Sequence, residues 1–494
     1  MAKRLATTLQ SHGAAISAHS MATESQRLVF ATARLSLFLN HPRRSCNIDE
    51  CGKFRPCARQ AIIQNPTMVG IMIRRVLLAL VTAALVIISS EVRPSTRIQA
   101  QVGAGFGAQR APSIDVDRLD RLYLLMSVAT KTAEAHTPGS QIFFTMSRDG
   151  GQTWDNLPFT RNLSNSDGEA FGPSVAISKT GKPLPYVTYH DNFSGTTQAY
   201  LLRTKKKTKF KKPLNITPHE GGAFRPRVAL DPDESVNVVW GDFSLGRRQV
   251  MFERSTDLGN TFAEAINISN SPGDAFDPDL AIAPVASSPA GFAIYVVWED
   301  KSEGVSAIMF SRSMDAGETF SIPAKVSRGP GAGTEADVAV DGAGRIHVVW
   351  VDTTPGDPEA FYARSTDGGD TFSEPVNISG VRGAEVHKTT VAAFENKVYL
   401  AYNEDAKARQ VFVAASDNGG SSFGDPVQVS TANPNIGRAH SAAMVVDSNG
   451  TLHIVWIDSS ILGNDEGLLF YSSSNNGKSF ISKKMILAFV QSPG

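Results

Sequence analysis

The sequence predicts an all-β protein, a β-propeller of seven four-stranded blades, with a six-bladed ring as the alternative. Three observations predict it. An octapeptide recurs at intervals of about fifty residues. Each copy is embedded in the same succession of short apolar runs, and those runs have the composition of strands, with no helical periodicity competing across 111–490.

The octapeptides set the frame. They read "SRDGGQTW" (147–154), "STDLGNTF" (255–262), "SMDAGETF" (313–320) and "STDGGDTF" (365–372), followed by the softer "SDNGGSSF" (416–423) and "SSNNGKSF" (473–480). Their third position holds Asp149, Asp257, Asp315, Asp367, Asn418 and Asn475. The first interval is about twice the others, and "RTKKKTKF" (203–210) fills its middle, with Lys205 in place of the Asp and Lys207 in place of the Gly. That makes seven repeats, with a period too long for most helical solenoids and suited to a propeller blade.

Strand A is the apolar run of "PSVAI", "PRVAL", "PDLAI" and "ADVAV". Strand B ends in an aromatic and an acid: "VNVVWGD" (236–242), "IYVVWED" (294–300), "IHVVWVD" (346–352) and "LHIVWID" (452–458), with "YVTYHD" (186–191) and "VYLAYNED" (398–405) as variants. Strand C is the run before each octapeptide, such as "VMFERS" and "IMFSRS", and strand D follows it, as in "AINIS" and "PVNIS". The octapeptide is therefore a C-to-D turn. Its Gly supplies positive φ, its Asp or Asn accepts turn N–H bonds, and its aromatic anchors the turn between sheets. A calcium loop needs several carboxylates at alternate positions, and these turns have one.

The pattern S-x-D-x-G-x-T-F/W resembles the Asp-box, or BNR repeat, of the sialidase/neuraminidase superfamily, over nearly all of 111–490. The resemblance implies an Asp-box propeller and, for the active members, glycoside hydrolysis. Those members use an arginine trio on the substrate carboxylate, a Tyr nucleophile paired with Glu, and an acidic Asp. "FRPR" (224–227) is similar to the family's Phe/Tyr-Arg-Ile-Pro motif, which carries its arginine onto Arg225. Arg382 and Arg438 are the candidates for the other two arginines, Tyr402 with Glu385 or Glu404 for the nucleophile pair, and Asp277 for the acid. Arginine suits the task because its planar fork pairs bidentately with a carboxylate.

Antiparallel pairing puts the start of A and the end of B on one face, the mouth of the central channel, and the octapeptides on the other. Superposing the repeats on strand A gives one mouth residue per blade: Ala111, Gly172, Arg225, Asp277, Glu335, Lys388 and Ser441. The residues before them are Arg110, Phe171, Phe224, Phe276, Thr334, His387 and His440. Residues that break a repeat are where function is written. The expected ligand-binding set is accordingly Arg225, Asp277, Glu335, His387, Lys388 and His440. The acids ending strand B recur in every variant and are expected to cap loops.

The chain has 494 residues and a formal net charge of +0, so no bulk electrostatic preference for nucleic acid or membrane. Residues 68–100 read as a signal peptide or membrane anchor: Arg74 and Arg75 precede an apolar run from Val76 to Ile88, followed by small residues. Residues 1–67, with all three cysteines (Cys46, Cys51, Cys57), read as a disordered leader or a mis-called extension, and 101–110 as a linker. The expectation is an exported, monomeric, secreted, periplasmic or cell-surface propeller. It would need no cofactor or metal and would bind a glycan, peptide or small polar ligand at the strand-A mouth. The alternative is an exo-sialidase-like glycoside hydrolase.

Overall fold

The structure, a computed structural model, describes residues 112–486 apart from 131–138, 156–160, 181–182, 207–208, 381–382, 406–408, 431–437, 459–467 and 482–483. The leader, the signal or anchor, the linker, Ala111, Lys207 and Arg382 lie outside the described residues.

Seven antiparallel sheets follow one another along the chain, and no helix occurs among the described residues. The third blade shows the plan. Ala223–Leu230 (strand A) pairs with Val236–Asp242 (B), B with Gln249–Ser255 (C), and C with the short Ile266–Asn267 (D). Strand B is buried at all seven positions. It sits in the middle of a sheet that neighbouring blades cover on both faces, so the alternation of a half-exposed strand gives way to a continuous apolar run. Trp240, Trp298, Trp350 and Trp456, the B-strand tryptophans, are among the largest fully buried side chains.

The ring is seven-bladed, not six, and it closes without sharing a sheet. The first blade takes its strands from Ser113–Val116 through Arg161–Asn162, and the last from Ala439–Val446 through Lys484–Ile486. Side chains close the seam. Ile114, Val116, Leu122 and Leu124 pack with Val455, Leu469 and Tyr471, and the Tyr471 hydroxyl donates to the Gly150 carbonyl at 2.7 Å.

The octapeptides are the C-to-D turns. In "STDGGDTF", Asp367 Oδ1 accepts the Thr371 N–H at 3.0 Å and the Ser365 hydroxyl at 2.7 Å, while Ser365 Oγ accepts the Gly369 N–H at 2.8 Å. The turn also reaches across to the preceding blade. Phe372 meets Phe310 edge to face with centroids 5.0 Å apart, as Phe320 meets Phe252 and Phe423 meets Tyr362. Trp154 does the same with Tyr471 across the closing seam. In the second blade the outer edge is split into Lys209–Phe210 and Leu214–Asn215, both paired with Gln198–Lys206. The box chemistry is lost there but its aromatic survives: Phe210 packs edge-on to Phe144 at 5.6 Å.

The seventh turn corrects the sequence frame. Ser474, not Ser473, pairs with the first residue of strand B, and Ser474 Oγ accepts the Gly477 N–H at 2.8 Å. Asn476, rather than Asn475, accepts the Ser479 N–H at 3.2 Å. Strand C runs one residue further, so the turn is one residue shorter.

Candidate functional site

In six of the seven blades, all but the first among the described residues, strand A carries a β-bulge near its start. In the third blade Arg225 and Pro226 together face Trp240, between the pairs Phe224–Gly241 and Arg227–Val239. The first bulge residue is left-handed in five blades: Gly172, Arg225 (φ 49°), Asp277 (φ 54°), Glu335 (φ 53°) and Ser441 (φ 55°). Only glycine takes this conformation freely; each of the others costs about 1 kcal/mol or more. The sixth blade departs: its bulge falls between Val386 and Thr389, one residue early, and Lys388 is not left-handed.

These bulges rim a cavity of about 260 Å³ in the channel, lined from all seven blades. Its two halves differ. Blades seven, one and two contribute Ala442, Ala443, Met444, Ser113, Ile114, Gly172, Pro173, Ser174 and His190. Burial pushes His190 down to about 3, aided by Arg225 and Arg227, so its ring is neutral. Blades three to six contribute Arg225, Arg227, Asp277, Asp279, Glu335, Asp337 and Lys388.

Some of these charges neutralise each other. Arg225 Nη1 lies 2.5 Å from Asp277 Oδ2, and Arg227 Nε 3.5 Å from Asp279 Oδ1. Asp279 and Asp337 both accept from the Val338 N–H, at 3.2 and 3.0 Å, which brings two carboxyl groups together. Burial first, then the neighbouring Asp337, pushes Asp279 above the carboxylate range, with Arg227 pulling the other way. Behind the rim, Glu299 Oε1 accepts the Glu335 N–H at 2.7 Å. Burial, then Asp277, pushes Glu299 up to about 8. Burial lowers Lys388, with Glu335 pulling the other way.

The blades are stitched to one another here. Ser113 Oγ accepts the Val175 N–H at 3.1 Å, Ser174 Oγ the Val228 N–H at 3.3 Å, and Asp337 Oδ2 the Val391 N–H at 2.9 Å. Thr389 donates its hydroxyl to the Glu335 carbonyl at 2.8 Å.

Of the residues the sequence singled out, the cavity brings together Arg225, Asp277, Glu335 and Lys388. His387 and His440 are not part of its lining. His387 Nε2 is 3.0 Å from Asp405 Oδ2, and His440 Nδ1 is 2.9 Å from Ser441 Oγ. Their strand pleat explains this, since neighbours along a strand point to opposite sides. Tyr402 is buried between blades, stacked on Phe412 with centroids 5.6 Å apart, and Glu385 is an exposed side chain 4.0 Å from His387. Neither they nor the exposed Arg438 line the cavity. The acids ending strand B do cap loops: Asp242 Oδ1 accepts the Ser244 N–H at 2.8 Å and its Oδ2 the Trp240 indole N–H at 2.8 Å. Arg227, Asp279 and Asp337 were missed. They stand two residues beyond the mouth ring, on the same face of strand A, so the period-2 rule applied to the same frame would have found them.

No family model matches the chain, and no curated protein matches it. Among solved structures, a protein of unknown function from Dyadobacter fermentans is 16% identical, covering 63% of this chain and 95% of that one, with a TM-score of 0.47. A Hadza microbial sialidase is 17% identical, covering 63% of this chain and 65% of its own, with a TM-score of 0.43. An ulvan lyase of a polysaccharide lyase family is 12% identical, covering 77% of this chain and 94% of its own, with a TM-score of 0.46. The propeller fold rests on the chain's own seven sheets.

Proposed function

We propose that this chain is an exported Asp-box propeller that binds a glycan or another small polar ligand in the strand-A mouth of its channel without transforming it. The observation that carries the reading is the set of strained side chains at the rim. Arg225, Asp277 and Glu335 occupy the same left-handed bulge in three consecutive blades, where glycine would fit at no cost, and all three line the cavity. Strain of this kind persists where a side chain is needed at a fixed place, and it clusters at ligand sites. Export is supported by the apolar run from Val76 to Ile88 behind two arginines.

The hydrolase reading keeps Arg225 in the cavity but leaves Tyr402 in the core between blades. Calorimetry with a saccharide panel, run beside a fluorogenic sialoside assay, separates the two. The expected result is saturable binding without turnover, weakened at least about tenfold in Arg225→Ala. Sialoside turnover that disappears in Arg225→Ala would replace the binding reading with the hydrolase.

A further inference from the structure

Two charged groups of the cavity stand apart from the rest. Arg225 and Arg227 are matched by Asp277 and Asp279. The Lys388 ammonium and the Glu335 carboxylate, both in the cavity wall, have no hydrogen-bond partner and no opposite charge at ion-pair distance among the described residues. They belong to adjacent blades and to the same step of the mouth ring, yet they do not close on each other.

Their spacing is fixed by the backbone. Glu335 is held in its left-handed conformation from both sides: its N–H donates to Glu299 at 2.7 Å, and its carbonyl accepts from Thr389, the residue after Lys388, at 2.8 Å. One step deeper, Asp337 accepts the Val391 N–H at 2.9 Å across the same seam. A half-buried charge without a partner is costly, and a ligand that supplies the partner regains that cost without reordering the site. Beside Lys388, on the seventh blade, stand Ala442, Ala443 and Met444, which offer no hydrogen-bonding side chain and suit a hydrocarbon body.

We propose that the ligand is a small zwitterion of the amino-acid type, its carboxylate on Lys388, its ammonium on Glu335 and its aliphatic part against Ala442–Met444. The inference rests on the cavity being a binding site and goes further in naming the ligand's ionic groups. A ligand with one charge leaves either Lys388 or Glu335 unmatched, so the site discriminates by pairing two groups at once.

The test is calorimetry on the full chain with glycine, β-alanine, 4-aminobutanoate and 5-aminopentanoate. Butylamine and butanoate serve as single-charge controls, and neutral and N-acetylated saccharides as a separate arm. At least one amino acid of the series is expected to bind about tenfold or more tightly than either single-charge control. Lys388→Met should erase its advantage over the amine, and Glu335→Gln its advantage over the carboxylate. The doubly exchanged variant, Lys388→Glu with Glu335→Lys, should regain zwitterion binding in the reversed orientation, which a folding defect could not do. Equal binding of zwitterions and single-charge controls overturns the inference, as does binding of none of the amino acids. Saccharide binding that Arg225→Ala abolishes would then leave the cavity reading standing alone, and silence in every arm would remove both.

Discussion

At the turn end of the fifth blade, Asp367 receives three N–H and hydroxyl donors from Ser365 and Thr371; at its mouth end, Glu335 keeps an unmatched carboxylate on a strained backbone. Both ends belong to one strand repeat. Outside the second blade the turn end recurs in nearly the same form, its Asp or Asn bonded within the turn each time. The mouth end recurs only in its backbone bulge, and the side chain on the bulge changes from Arg to Asp to Glu. Repetition at one end holds blades together, while variation at the other makes each blade's contribution to the channel different.

The largest effect is expected where the turn end touches its neighbour. A Cβ added to Gly369, at φ +95°, would lie 2.6 Å from the Phe310 ring of the fourth blade. Gly369→Ala combines left-handed strain with overpacking and should cost about 3 kcal/mol, read as a lower urea midpoint. A loss near zero would show that the turns do not join the blades.

Glu253 sharpens the comparison because it breaks the repeat away from the mouth. Other blades place Thr145, Ser311 or Ser472 there, each donating to a nearby carbonyl. Glu253 is 4% exposed with Oε1 unpartnered, and burial pushes it up to about 8. A raised carboxyl favours the fold only while protonated. Its stability is complete below the ordinary carboxyl range and is lost as pH rises through about 8. Glu253→Gln should therefore stabilise by on the order of 2 kcal/mol at alkaline pH and change little near pH 4 in paired urea titrations. Equal effects at both pH values would mean the carboxyl is not the cause.

The smallest expected effect has the opposite sign to the first. Glu335→Gly relieves a left-handed residue and removes an unmatched charge, so stability should hold or rise by up to about 1 kcal/mol. If instead the fold weakens, the carboxylate has a structural partner and the contrast between the two ends dissolves.

Much of this was legible along the chain. The octapeptide period located the blades, and the aromatic-acid ending of strand B located the mouth. Aligning strand A picked out the position that proves left-handed, since Gly172, Arg225, Asp277, Glu335 and Ser441 share it. What misled was register at single-residue precision. Counting back from Phe480 put the seventh turn on Asn475, because a turn one residue shorter ends in the same aromatic. Counting one residue back from the ring enlisted His387 and His440, whereas the pleat brings in Arg227, Asp279 and Asp337 two residues on.

Sequence alone determined the architecture, because turn chemistry, strand composition and their order are local properties repeated seven times over. Tertiary structure decided the site. Whether Arg225 is paired or free depends on Asp277, about fifty residues away on the next blade. Whether Tyr402 faces the channel or the core depends on how two sheets pack. The gap between Lys388 and Glu335 is set by a hydroxyl on one blade reaching a carbonyl on another. Those relations exist only once the ring has closed.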